Sequence, residues 1–131
     1  MSGGATWAGR VLRGLVVAFL LFDGGIKVIG LPVVEETMAG LGYPPGLGLG
    51  LGVMTLAIAL LYAMPRTAVL GAVLLTGLLG GAMATHLRAG SPPFSHLLFG
   101  LYLGLFAWGG LWLTDTRLRG LLPWRVEGAV R

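Results

Sequence analysis

The stretch TAVLGAVLLTGLLGGAMATHL, residues 67–87, decides the fold class. It runs without a single Asp, Glu, Lys or Arg. A helix needs about 20 predominantly apolar residues to cross the hydrocarbon core of a bilayer. This run has that length, and it exceeds what a barrel strand would use. Three further apolar runs of similar size occupy residues 11–31, 46–64 and 94–113. The expected fold is therefore all-α: an integral-membrane four-helix antiparallel bundle, one membrane domain over residues 1–131. Composition agrees. Of 131 residues, 56% are hydrophobic and 11% charged, with mean hydropathy +0.88. A soluble domain carries about 25% charged residues.

One run reads against this assignment. Residues 46–52, GLGLGLG, alternate with the period of a strand. An isolated strand cannot span lipid, because its backbone groups would lack partners there. The second run is therefore read as a helix with a glycine-weakened start. The first run also has the outline of a cleaved leader, with Arg10 and Arg13 before an apolar stretch. Asp23 and Lys27 interrupt that stretch and no A-x-A site follows it, so it is expected to be retained as a span.

The breaks are built from turn chemistry. Leu31-Pro32 ends the first run, and Tyr43-Pro44-Pro45 closes a first loop containing Glu35 and Glu36. Met64-Pro65-Arg66 makes a tight turn. Gly90-Ser91-Pro92-Pro93 makes another, with Ser91 expected as N-cap and Pro92 at the first helical position. Short turns imply antiparallel neighbours.

Charge sets the orientation. Arg10, Arg13, Arg66, Arg117, Arg119, Arg125 and Arg131 fall on one side of a four-span arrangement; Lys27 and Arg88 fall towards the other. The positive-inside rule then puts both termini in the cytoplasm. Trp7, Trp108, Trp112 and Trp124 lie near those ends, and Tyr43 and Phe94 near the outer ends, as an aromatic belt. The formal net charge of +4 thus points to lipid topology, and no nucleic-acid partner is expected. The chain has no cysteine, which excludes disulfides, thiol redox chemistry and thiolate metal sites on it.

The few intramembrane ionisable groups gather in the outer half. Asp23 lies about 18 Å beyond Val11, at about 1.5 Å per residue, and Lys27 one turn further out. Charges at such depth pair with one another or line a cavity. Asp23 and Lys27, four apart with the acid first, fit a self-neutralising pair; they equally fit a proton-handling carboxylate tuned by a lysine. Gly77, Gly81, Thr85 and Arg88 share one face of the third helix, expected to point inward because small residues mark close helix contact. Arg88 has two readings: a structural partner for Asp23, Glu35 or Glu36, or a contact for a planar anionic or carbonyl group. His96 shares a face with Gly100, Leu103, Ala107 and Gly110 and is expected in the interior, as a packed histidine, a proton shuttle or a ligand contact. His86 lies about 160° from Arg88 and reads as interfacial. Gly48, Gly52, Thr55, Ala59 and Tyr62 form a stripe on the second helix. A ten-residue His86–His96 separation matches no metal-ligand motif, so no metal is expected. No nucleophile elbow, phosphate loop or HExxH pattern is present.

These features together resemble a family. Phe22-x-x-x-x-Lys27, Pro32, Gly42-Tyr-Pro44, Met64-Pro-Arg-Thr67, Gly80-Gly-Ala-Met-Ala-Thr-His-Leu-Arg88, His96, Trp108-Gly-Gly-Leu-Trp112 and Leu118-Arg-Gly-Leu-Leu-Pro123 are similar to the pattern of DoxX-like small bacterial membrane proteins, over nearly the whole chain. The resemblance implies a four-helix protein of the bacterial inner membrane. It also implies a redox setting: the family name comes from a membrane subunit of a thiosulfate:quinone oxidoreductase, and other relatives associate with oxidative-stress membrane complexes. Three functions follow as expectations. The first is a small polar pocket in the outer half that binds a quinone-like or other small apolar ligand, with Arg88 and His96 on its oxygens, Thr85 beside them, and Asp23 with Lys27 handling a proton. The second is an accessory subunit docking on a larger membrane redox or transport complex, or on a second copy of itself. The third is an acid–base enzyme, of isomerase or hydratase type, with Asp23 and His96 as catalytic candidates.

Overall fold

The computed structural model describes residues 3–127. Every element among them is helical: α1 (Gly3–Ile29), α2 (Pro32–Gly40), α3 (Leu47–Ala63), α4 (Ala68–Ala89), a π-helical turn (Pro93–Leu97), α5 (Phe99–Thr114) and the short α6 (Thr116–Arg119). α4, and the π-turn with α5 (Pro93–Thr114), are each long and apolar enough to cross a membrane. α1 and α2 qualify only as a pair, and that pair is bent by 96°. α3, at 17 residues, is apolar but shorter. Large apolar side chains lie exposed on every long helix, including Leu15, Phe22, Leu60, Val73, Leu87 and Leu105. A soluble monomer does not leave so much apolar surface bare. The chain is a membrane-embedded protein whose outer faces contact lipid.

The first loop is not a loop throughout. Residues 32–40 form α2, with Pro32 at its first turn, Glu35 near its positive end, and Val34 and Met38 buried. Its C-terminus closes in a Schellman arrangement: Tyr43 N–H bonds Met38 O, and Gly42 N–H bonds Ala39 O, with Gly42 at φ 88°. α1 also begins earlier than residue 11. Arg131, counted with the basic residues at the chain ends, lies outside the described residues.

Four helix-to-helix contacts close α1, α3, α4 and α5 into a ring: α1 with α3 and α5, and α4 with α3 and α5. Each contact is seated on glycine. A Cβ at Gly9 would lie 2.9 Å from Gly110 O, one at Gly52 2.9 Å from Gly24 O, one at Gly71 2.5 Å from Tyr62 N, and one at Gly100 3.2 Å from Leu79 O. This resolves the period-two run: Gly48 and Gly52, four apart, are buried, whereas Gly50 meets nothing. A strand-like alternation thus contains a helical repeat of small residues.

The contacts alternate between the two ends of the ring. At the end where α1 begins and α5 finishes, α1 meets α5 (Gly9, Gly110) and α4 meets α3 (Gly71, Tyr62). At the end holding α2, α1 meets α3 (Gly24, Gly52) and α4 meets α5 (Gly100, Met83). Each pair therefore splays away from its contact and leaves a wedge. Three wedges are filled. Phe19 and Phe99, with ring centroids 5.0 Å apart, fill that between α1 and α5. Trp108, donating to Thr76 Oγ1 at 2.8 Å, fills that between α4 and α5. Arg13 fills that between α1 and α3, donating to Tyr62 O at 3.2 Å and lying over the Tyr62 ring. Tyr62, fully buried, donates to Ala107 O at 2.6 Å and ties α3 to α5 across the core. Among the described residues no such side chain fills the wedge between α3 and α4.

Candidate functional site

That fourth wedge is a cleft of about 850 Å³, within the size range of ligand pockets. Its walls are mostly aliphatic. α3 gives Leu51, Met54, Ala57, Ile58 and Leu61, and α4 gives Val73, Leu74, Gly77, Leu78, Gly81 and Ala82. Gly77 and Gly81 do not seat a neighbouring helix, as the small-residue stripe suggested: a Cβ at either would meet nothing within 4 Å. They keep the cleft empty instead. Met54, Val73 and Leu74 line it while remaining 43%, 53% and 43% exposed, so the cleft opens sideways between the two helices. α2 lies across its far end and contributes Val33, Val34, Thr37 and Met38.

The polar groups collect at that roofed end: Asp23 and Lys27 from α1, Thr37 from α2, Tyr43 from the following loop, and Thr85 and His86 from α4. Lys27 Nζ donates to Asp23 Oδ2 at 2.6 Å, an ion pair one helical turn apart. Tyr43 Oη and Thr85 Oγ1 lie 2.6 Å apart and join the loop to α4. His86 Nδ1 is 2.9 Å from Ser91 Oγ, across the turn that ends α4. No buried side-chain nitrogen or oxygen among the described residues lacks a hydrogen-bond partner.

Of the residues singled out from sequence, Asp23, Lys27 and Thr85 line this cleft; Arg88 and His96 do not. Arg88 is exposed and donates to Leu41 O at 2.9 Å, holding the segment that carries Tyr43. It pairs with none of Asp23, Glu35 and Glu36; the carbonyl end of α2 takes it instead, as suits a cation at a helix C-terminus. The expectation of an interior His96 is corrected: it is exposed, while Gly100, Leu103, Ala107 and Gly110 of the same stripe are buried. The π-turn inserts a residue into the helical repeat, so a wheel drawn through His96 and Gly100 misplaces the histidine. His96 meets His86 edge to face, with centroids 5.7 Å apart, and bonds Ser95 Oγ at 2.8 Å. Among the described residues no three His, Asp or Glu side chains gather as a metal site. Of the acid–base candidates Asp23 and His96, only Asp23 reaches the cleft.

Sequence reading missed Tyr43, Thr37 and His86. Tyr43 carried a signal, since a residue after Gly42 and before two prolines is held in place by its neighbours. Thr37 was hidden by reading α2 as loop.

A profile of the DoxX-like family matches residues 11–110. The chain belongs to the DoxX-like family. No curated protein and no solved structure matches it. The DoxX-like segment contains every residue that lines the cleft and all four glycine-seated contacts except the Gly9 side of one. α6 lies beyond the DoxX-like segment.

Proposed function

We propose that this DoxX-like chain is a four-helix antiparallel protein of the bacterial inner membrane, crossing with α1, α3, α4 and α5 and keeping both termini in the cytoplasm. In this reading the cleft takes a small apolar ligand with a polar head, of quinone type, from the bilayer, in a redox-associated role. The apolar tail lies between α3 and α4, and the head reaches Asp23, Lys27, Tyr43, Thr85 and His86. Asp23, held by Lys27, exchanges a proton with the head. Arg88 acts indirectly, by positioning Leu41 and Tyr43, and His96 supports His86 from the surface.

One observation carries this reading: six polar side chains from four segments meet at one end of an otherwise aliphatic cleft. A packing fault would be apolar throughout, whereas ligand sites combine an apolar body with a few convergent polar groups. Docking on a larger complex or self-association rests on the exposed apolar faces alone, which lipid also covers.

Decylubiquinol, kept reduced under anaerobic conditions, is expected to raise the melting temperature of the detergent-purified chain in a saturable way, since a ligand that binds only the folded state stabilises it by mass action. Asp23→Asn should remove most of that shift. Arg88→Ala should weaken binding by about tenfold, equivalent to about 1.4 kcal/mol, through loss of loop order. His96→Ala should change affinity by no more than about twofold, as expected of an exposed side chain. Equal shifts in wild type and Asp23→Asn would contradict the proposal.

A further inference from the structure

The hydrogen-bond directions at the roofed end of the cleft leave its polar groups unequal in what they can still offer. A hydroxyl carries one proton and two lone pairs. Thr37 Oγ1 gives its proton to Val33 O at 2.7 Å. Thr85 Oγ1 gives its own to Gly81 O at 2.9 Å. The 2.6 Å contact between Tyr43 and Thr85 must then use the tyrosine proton, with Thr85 accepting. All three hydroxyls have spent their protons inside the protein. Asp23 commits Oδ2 to Lys27 and keeps Oδ1. The remaining capacity is therefore lone pairs on Thr37, Tyr43 and Asp23, against donors on Lys27 and, in one tautomer, His86.

From this imbalance we infer that the cleft selects a head that donates hydrogen bonds: a hydroxyl-bearing, quinol- or phenol-type head over its carbonyl-bearing counterpart. The inference rests on the ligand-binding reading above and specifies the form bound. A carbonyl head can only accept. It is served by Lys27 and makes no bond to the lone pairs of Thr37, Tyr43 and Asp23, which stay with their present partners and solvent. A hydroxyl head donates to one of these acceptors and still accepts from Lys27. Sites built to bond a substrate hydroxyl discriminate strongly against analogues lacking it.

The test is anaerobic titration calorimetry of the full chain in dodecylmaltoside with three probes: decylubiquinol, decylubiquinone and the dimethyl ether of decylubiquinol. The ether keeps the ring and tail of the quinol, adds two methyl groups and cannot donate. The quinol is expected to bind about tenfold or more tightly than the other two. Thr37→Val, at the open rim of the cleft, and Asp23→Asn, which exchanges a carboxylate for an amide, should each reduce that preference. Equal affinity for quinol and quinone, or for quinol and its ether, would overturn the inference and leave the binding reading standing. No binding by any of the three would overturn both.

Discussion

Replacing Gly71 by leucine is expected to abolish recovery of a folded, monodisperse protein. A Cβ at this position would lie 2.5 Å from Tyr62 N and 2.7 Å from its Cα, both backbone atoms. Neither side can retreat. The turn from α3 to α4 is locked by Thr67 Oγ1 donating to Leu61 O at 2.7 Å and by Thr67 N–H bonding Met64 O at 3.2 Å. Tyr62 is pinned at its hydroxyl by Ala107 O and at its own carbonyl by Arg13. Overpacking a closed site costs about 1–3 kcal/mol for small additions, so even Gly71→Ala should melt measurably earlier. Size-exclusion profiles and thermal melts in detergent provide the check, and a Gly71→Leu protein that elutes and melts like wild type would refute the packing argument.

Gly77→Leu is expected to do the opposite to stability and the most to binding. No atom lies within 4 Å of a Cβ there, and leucine ranks just behind alanine as a helix former, whereas glycine lies about 0.8–1.0 kcal/mol below alanine. The variant should fold and melt no earlier than wild type. Its side chain would enter the cleft midway along α4, between Leu74 and Gly81, where the apolar body of the proposed ligand would lie. Affinity for decylubiquinol should fall by at least about a hundredfold, some 2.7 kcal/mol. The two glycines thus separate the ring from the cleft: one substitution should disrupt the fold and the other should fill the cleft. Unchanged affinity in folded Gly77→Leu would show that the ligand binds elsewhere.

Much of the helical framework was legible in sequence because lipid leaves the backbone few choices. Runs at 67–87 and 94–113 correspond closely to α4 and to Pro93–Thr114. The stripes through Gly52, Thr55, Ala59 and Tyr62, and through Gly100, Leu103, Ala107 and Gly110, are buried as helical spacing requires. The site was less legible, for two physical reasons. First, a glycine serves two opposite purposes: Gly71 admits a neighbouring helix and Gly77 keeps a space open, and spacing alone does not distinguish them. Second, the roof depends on breaks in regularity. The 96° bend before α2 brings Thr37 over the cleft, and the π-turn puts His96 outside; neither break follows from helical period. Asp23, Lys27 and Thr85 were found because they lie on regular helices, and Tyr43 was missed because its position depends on a loop held by Thr85 and Arg88.

The absence of cysteine from the chain allows one direct measurement. A single cysteine placed at Gly77, inside the cleft, or at Gly80, which lies on α4 outside it and equally meets nothing within 4 Å, can be alkylated by a small maleimide in detergent. If the cleft between α3 and α4 is the ligand site, saturating decylubiquinol will slow alkylation of Gly77→Cys about tenfold or more, as occupancy near 90% requires, and leave Gly80→Cys unchanged. Equal rates with and without ligand at Gly77→Cys, in protein shown by calorimetry to bind that ligand, would place the site elsewhere and contradict the account.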